Sequence, residues 1–145
     1  MCIRDRYGPV GKNFLLTMLR LHALKAEAGD PLRVVADQVG CPTSTATLAQ
    51  ACWAALAHGA HGIHHCSDAG AASWYDFAVA IGEIAQASGR LSQAASVEPI
   101  TTADYPTPAR RPGYSLLDCT QTRAALGLPA RYWREALAEV IGSLP

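Results

Sequence analysis

The sequence predicts an α/β fold, and two observations predict it. Short apolar runs alternate with longer segments of helical periodicity, the order that parallel strands joined by helical crossovers require. The clearest run, Val34-Val35-Ala36, breaks abruptly into Asp37-Gln38-Val39-Gly40-Cys41-Pro42-Thr43, which is how a buried parallel strand ends in a loop. In open α/β sheets ligands bind outside the carboxyl ends of the strands, so residues 37–43 stand where a substrate loop is expected. An ordinary strand-to-helix connection, with Asp37 and Gln38 satisfying local backbone groups, fits the same spacing.

At 145 residues, half of them apolar, the chain suits one compact domain. Met1 to Arg6 is charged and lacks strand periodicity, so residues 1–6 are set apart as a foreign or disordered lead-in and residues 7–145 as the folded part. Asn13 to Ala28 carries Phe14, Leu15, Met18, Leu19, Leu21 and Leu24 at helical spacing, and Gly29 follows where a C-cap glycine belongs. Leu32 to Ala36 is the strand that feeds the loop. Ser44 or Thr45 caps the next helix, to about His58, with Leu48, Cys52, Ala55 and Leu56 as a stripe facing the sheet. Gly62 to Cys66 reads as a second short strand.

Ser73 caps a helix from Trp74 to about Ser88, with Trp74, Phe77, Ala78, Ile81 and Ile84 on its buried side. Aromatics at this spacing favour core packing over a cleft for a nucleotide base. Ser96 to Thr101 makes a third short strand. Pro106, Pro108 and Pro112 then exclude helix and central strand around Arg110 and Arg111. Asp118 or Thr120 caps a short helix through Leu126, and Tyr132 to Ile141 closes the chain as an amphipathic helix anchored by Trp133.

A formal net charge of zero gives no electrostatic footprint for nucleic acid or for an anionic membrane. No apolar run is long enough to span a bilayer and no signal-peptide pattern opens the chain, so a cytoplasmic location is expected. The five cysteines form no Cys-x-x-Cys pair, which argues against a zinc site or a secreted disulfide framework; Cys52 and Cys66 are expected as small core residues. His61, His64 and His65 crowd together, but strand alternation puts the last two on opposite faces, against metal ligation. The proline-stiffened loop holds a guanidinium at low entropic cost. Such a group serves a pyrophosphate, or equally an ion pair with Asp104 or Asp118.

Five segments in register carry a family resemblance: Gly11-Lys12-Asn13-Phe14 with Met18-Leu19-Arg20, Asp37-Gln38-x-Gly40-x-Pro42-Thr43, Ser73-Trp74-Tyr75-Asp76-Phe77, Tyr105-Pro106-Thr107-Pro108-Ala109-Arg110-Arg111-Pro112, and Ser115-x-Leu117-Asp118. From about Tyr7 onward the chain resembles the dTDP-4-dehydrorhamnose reductases, extended short-chain dehydrogenase/reductase proteins. The resemblance implies the C-terminal part of a Rossmann-like parallel sheet with a small mixed helical substrate-binding region. It implies reduction of dTDP-4-dehydro-L-rhamnose to dTDP-L-rhamnose with NADPH or NADH, a homodimer for the full-length protein and, in some members, Mg2+. Gln38, Asn13 and Arg111 are its expected dTDP-sugar contacts, with Arg110 a weaker one, while Asp37 orders the loop.

The family's Tyr-x-x-x-Lys pair is absent, because Gly8 and Leu21 stand four residues before Lys12 and Lys25, the only lysines. The glycine fingerprint for a dinucleotide is absent too: Gly8-x-x-Gly11 and Gly59-x-x-Gly62 lack the third glycine and the preceding strand. Both modules belong to the family's N-terminal half. The expectation is therefore a substrate-side half with no catalytic residue and no turnover of its own. A related nucleotide-sugar epimerase or dehydratase, and a binding module like the regulatory subunit of methionine adenosyltransferase, are the rival readings. A severed sheet also predicts exposed apolar surface and self-association.

Overall fold

The computed structural model describes residues 6–109 and 111–145. In chain order these form β1 (Arg6–Tyr7), α1 (Phe14–Ala28), β2 (Leu32–Val35), β3 (Val39–Gly40), β4 (Thr43–Ser44), α2 (Thr45–Ala57), β5 (Ala72–Ser73), α3 (Trp74–Ala87), β6 (Val97–Ile100), a 3-10 turn (Thr102–Asp104), α4 (Thr120–Leu126) and α5 (Trp133–Ser143). The α/β class holds, and the two strand pairs that close long crossovers are parallel. β2 lies beside β6 with Leu32 opposite Val97 and Val35 opposite Ile100, and β1 lies beside β4. The third pair, β3 with β5, is antiparallel. Among the described residues the strands form three separate two-stranded patches instead of one continuous sheet.

Helix α3 is the centre of packing. Its Phe77, Ala78, Ala80 and Ile81 are buried against Leu15 and Met18 of α1 and Trp133, Leu137 and Ile141 of α5. The Phe77 ring meets Tyr7 at 5.1 Å, Phe14 at 5.4 Å and Trp133 edge-on at 6.0 Å. Burying a side chain of this size contributes roughly 1.5–3 kcal/mol, so this cluster dominates the stability of the fold. α1 and α3 approach closely because Gly82 has no side chain: a Cβ there would stand 2.7 Å from Cε1 of His22. His22 itself is 1% exposed, with Nε2 3.0 Å from the Ala78 carbonyl.

Local chemistry sets the helix ends. Asn13 Oδ1 accepts from the Leu16 amide and Gly29 takes a left-handed φ of 73°, so α1 begins and stops where expected. Ser44 and Ser73 cap α2 and α3, the latter in a capping box with Asp76.

Several expectations need correction. Arg6 pairs with Thr43 in β1, so the ordered chain includes a residue assigned to the lead-in; residues 1–5 lie outside the described residues. In α2 only Ala51 is buried, while Cys52, Trp53 and Leu56 are exposed, because no strand patch covers that face. Cys66 is only half-buried. Leu24 is 54% exposed, and His22 takes the core position near it. Gly62–Cys66 is not a strand: with no neighbouring ladder to join, it stays irregular and leaves Ile63 at 91% exposure. Among the described residues no helix is long and apolar enough to cross a membrane.

Candidate functional site

The β3–β4 turn, the start of α3 and the segment that follows the prolines converge on one cleft. It is lined by Gln38, Gly40, Cys41, Pro42, Trp74 and Arg111, among others. Backbone bonds bring the distant segments together. Val39 N–H donates to the Gly113 carbonyl at 2.9 Å, and Ser115 N–H donates to the Val39 carbonyl at 2.8 Å. This ladder fixes Arg111 and Pro112 across from Gln38, although 73 positions separate residues 38 and 111 (111 − 38).

Asp37 locks the turn from outside. Its carboxylate accepts from the Thr102 amide at 2.9 Å and from the Thr102 hydroxyl at 2.7 Å. The backbone bond from Thr102, then its hydroxyl, hold this exposed carboxyl below the usual range, so it is ionised through the neutral range. The same hydroxyl accepts from Gln38 Nε2 at 3.0 Å, which orients the amide. Asp37 thus orders the loop, as expected.

Arg111 is half-buried on the cleft. Among the described residues no carboxylate pairs with it. Asp104 accepts from the Thr101 amide and hydroxyl and Asp118 from the Thr120 amide, so neither fastens the loop to Arg111. Arg110, the weaker candidate, lies outside the described residues. Asn13 is not brought to the cleft: Oδ1 caps α1 and Nδ2 donates to the Gly8 and Val10 carbonyls at 3.0 and 3.2 Å. In this structure its amide is used locally, at the start of α1.

Trp74 is the lining residue that periodicity undervalued. It packs on Phe14 with ring centroids 4.8 Å apart and also reaches the cleft, so it serves core and site together. The signal in the sequence is an aromatic placed directly after the N-cap serine of a helix.

The enclosed space of the cleft is about 80 Å³. Pockets that bury a drug-sized ligand run from roughly 300 to 1,000 Å³, so this one holds a fraction of a sugar nucleotide and opens on its remaining sides. A second, shallower hollow of about 590 Å³ is bordered by His22, Tyr75, Glu83 and Gln86. Of its polar groups, Glu83 pairs with Arg134 and Gln86 accepts from the Ala94 amide.

Among the described residues that line the cleft there is no His, Asp, Glu, Lys or Tyr side chain. Tyr7 is buried, which pushes its hydroxyl pKa far above the ordinary tyrosine value, and it donates to the Trp133 carbonyl at 3.5 Å. Among the described residues no group of three or more His, Cys, Asp or Glu side chains is able to hold a metal ion, so the Mg2+ implied by the resemblance has no ligand set there.

Known proteins resemble this chain in sequence and in fold. The family described as the RmlD substrate binding domain matches residues 5–144. A dTDP-4-dehydrorhamnose reductase of Aggregatibacter actinomycetemcomitans is 40% identical over 141 residues, covering 92% of this chain and 46% of that protein. A crystal structure of such a reductase from Clostridium acetobutylicum superposes with a TM-score of 0.81 at 38% identity, over 94% of this chain and 45% of that one. One from Bacillus anthracis, solved in complex with NADP, gives 0.80 at 31% identity, over 93% and 44%. The chain therefore spans less than half the length of the proteins it matches.

Proposed function

Because the chain belongs to the RmlD substrate binding domain family, we propose that it is the substrate-side half of an NAD(P)H-dependent dTDP-4-dehydrorhamnose reductase, which makes dTDP-L-rhamnose for cell-surface polysaccharide in the cytoplasm. The observation that carries this reading is the pairing of Gln38 with Arg111 on one cleft, the arginine lacking a carboxylate partner among the described residues. A half-buried guanidinium left without a protein anion is suited to a pyrophosphate, which it grips through paired N–H donors. The Gln38 amide, turned by Thr102, offers a hydroxyl-binding group, and the Trp74 ring offers an apolar face to base or sugar.

The nicotinamide cofactor supplies hydride, and this chain has neither the glycine fingerprint nor a Tyr-x-x-x-Lys pair to hold it or to protonate the carbonyl oxygen. The role of these residues is binding and orientation, and the cleft's small enclosed volume fits a ligand that is completed by residues outside the chain. Alone the chain binds and does not turn over.

Titration with dTDP-L-rhamnose tests this directly. Removing a charge-assisted contact to phosphate costs about 1.5–3 kcal/mol, so Arg111→Ala is expected to weaken binding by about ten- to a hundredfold. Gln38→Ala, a neutral contact, is expected to cost less, about 0.5–1.5 kcal/mol. Unchanged affinity in both variants rejects the assignment. UDP-glucose bound as tightly as the dTDP-sugar favours the epimerase reading instead.

A further inference from the structure

One wall of the cleft is held by a residue that does not line it. Asp68 is 2% exposed, between α2 and α3 in sequence. Its Oδ2 accepts from the Ser44 amide at 2.9 Å and its Oδ1 from the Thr47 hydroxyl at 2.6 Å. Its own amide donates to the Thr43 hydroxyl at 3.3 Å, and that hydroxyl donates to the Cys41 carbonyl at 3.0 Å. Its carbonyl accepts from the Cys41 thiol at 3.1 Å. Ser44 and Thr47 are thus bonded to its carboxylate, and Thr43 and Cys41 to its backbone, while Cys41 and Pro42 face the cleft.

The other side of Asp68 is tied to the core. The next residue, Ala69, donates to the Arg131 carbonyl at 2.6 Å and accepts from the Trp133 amide at 3.0 Å, at the start of α5. Arg123 Nη2 donates to the Asp68 carbonyl at 3.3 Å. A buried carboxylate is costly unless its oxygens are satisfied, and burial does push this carboxyl up, against the Thr47 and Ser44 bonds and the Arg131 and Arg123 guanidinia. An apolar residue would fill the space without that cost. What the carboxylate adds is two fixed acceptors at the turn where the cleft wall meets α2.

We propose that Asp68 is a positioning residue for the sugar-nucleotide cleft: its carboxylate, through Ser44 and Thr47, holds in register the backbone of residues 68 and 69 that joins the Cys41–Ser44 wall to the start of α5, without touching the ligand. This rests on the reading of the cleft given above. Asp68→Asn keeps the Ser44 bond with its carbonyl oxygen and meets the Thr47 hydroxyl with its NH2, so it should rescue the clamp. Asp68→Ala removes both acceptors, and Thr47→Val removes one donor while leaving the aspartate.

The test reads the wall and the ligand separately in the 145-residue chain. Iodoacetamide labelling of Cys41, scored by peptide mass spectrometry against the exposed Cys52, reports the wall with no ligand present. Titration with dTDP-L-rhamnose, at a temperature where circular dichroism shows each variant folded, reports the cleft. Cys41 labelling about tenfold faster and affinity about tenfold weaker in Asp68→Ala, with Asp68→Asn close to the parent, is the expected result. Should Asp68→Ala not fold, Thr47→Val decides by the same two readouts with smaller shifts in the same direction. Parent-like labelling and affinity in the folded variants overturn the proposal. Faster Cys41 labelling in Asp68→Ala alone, when even the parent binds no dTDP-L-rhamnose, upholds the clamp and rejects the sugar-nucleotide reading.

Discussion

Helices α2 and α3, 13 and 14 residues long, each start from a serine whose hydroxyl accepts from the amide three residues on, and neither has a basic residue in its last turn. α3 buries Phe77, Ala78, Ala80, Ile81, Gly82 and Ala85 between α1, α5 and the strands, whereas α2 buries Ala51 and leaves Trp53 and Leu56 more than two-thirds exposed. The serine cap is shared, but α3 adds a capping box with Asp76 and a sharper apolar face, and the two helices end in opposite environments. Capping and periodicity decide that a helix forms, and neighbours decide which side of it is covered. The uncovered side of α2 is also what a chain spanning under half the length of its relatives would present.

Substitutions on the two helices sharpen that contrast, and the largest effect belongs to α3. Phe77→Ala removes the ring shared by Tyr7, Phe14 and Trp133 and should destabilise by about 3–5 kcal/mol in chemical denaturation. A loss under about 1 kcal/mol would mean that α3 is not the centre of packing. A pH effect comes next. Burial lowers the pKa of His22 below the ordinary 6.5, so the unfolded chain takes up its proton first; stability is full above 6.5 and falls as pH drops from there toward the folded pKa. Thermal melts between pH 7 and 5.5 should show this decline, and His22→Gln should flatten it. The smallest effect on stability is expected on α2, where Trp53→Ser with Leu56→Ser stays within about 0.5 kcal/mol of the parent. The same pair should reduce self-association in sedimentation, since it removes exposed apolar surface; unchanged association would place the contact elsewhere.

Legibility in the sequence followed the range of the interactions. The limits of α1 were readable because Asn13 and Gly29 act within a turn of themselves. Strand β6 was found from Val97 and Ile100, and its partner β2 from the run ending at Val35. The stripe of α2 and the strand over Gly62–Cys66 were misread because each needs a neighbour that periodicity does not encode. His22 is hidden from periodicity because a histidine on an apolar face reads as polar, though its ring finds the Ala78 carbonyl. Motif and loop chemistry point to Gln38 and Arg111, which share a cleft, and the same motifs point to Asn13, which caps α1. Asp68 gave no signal at all, since its bonds join residues more than 20 positions away.

On the proposed function a sugar nucleotide binds between the Gln38 turn and the Arg111 segment. Amide and indole NMR shifts recorded during titration with dTDP-L-rhamnose test it most directly. Changes are expected at Gln38 to Cys41, at the Trp74 indole and at Arg111 to Ser115, with none at Trp53. Changes confined to the His22 and Tyr75 hollow, or none at saturating ligand, would contradict it.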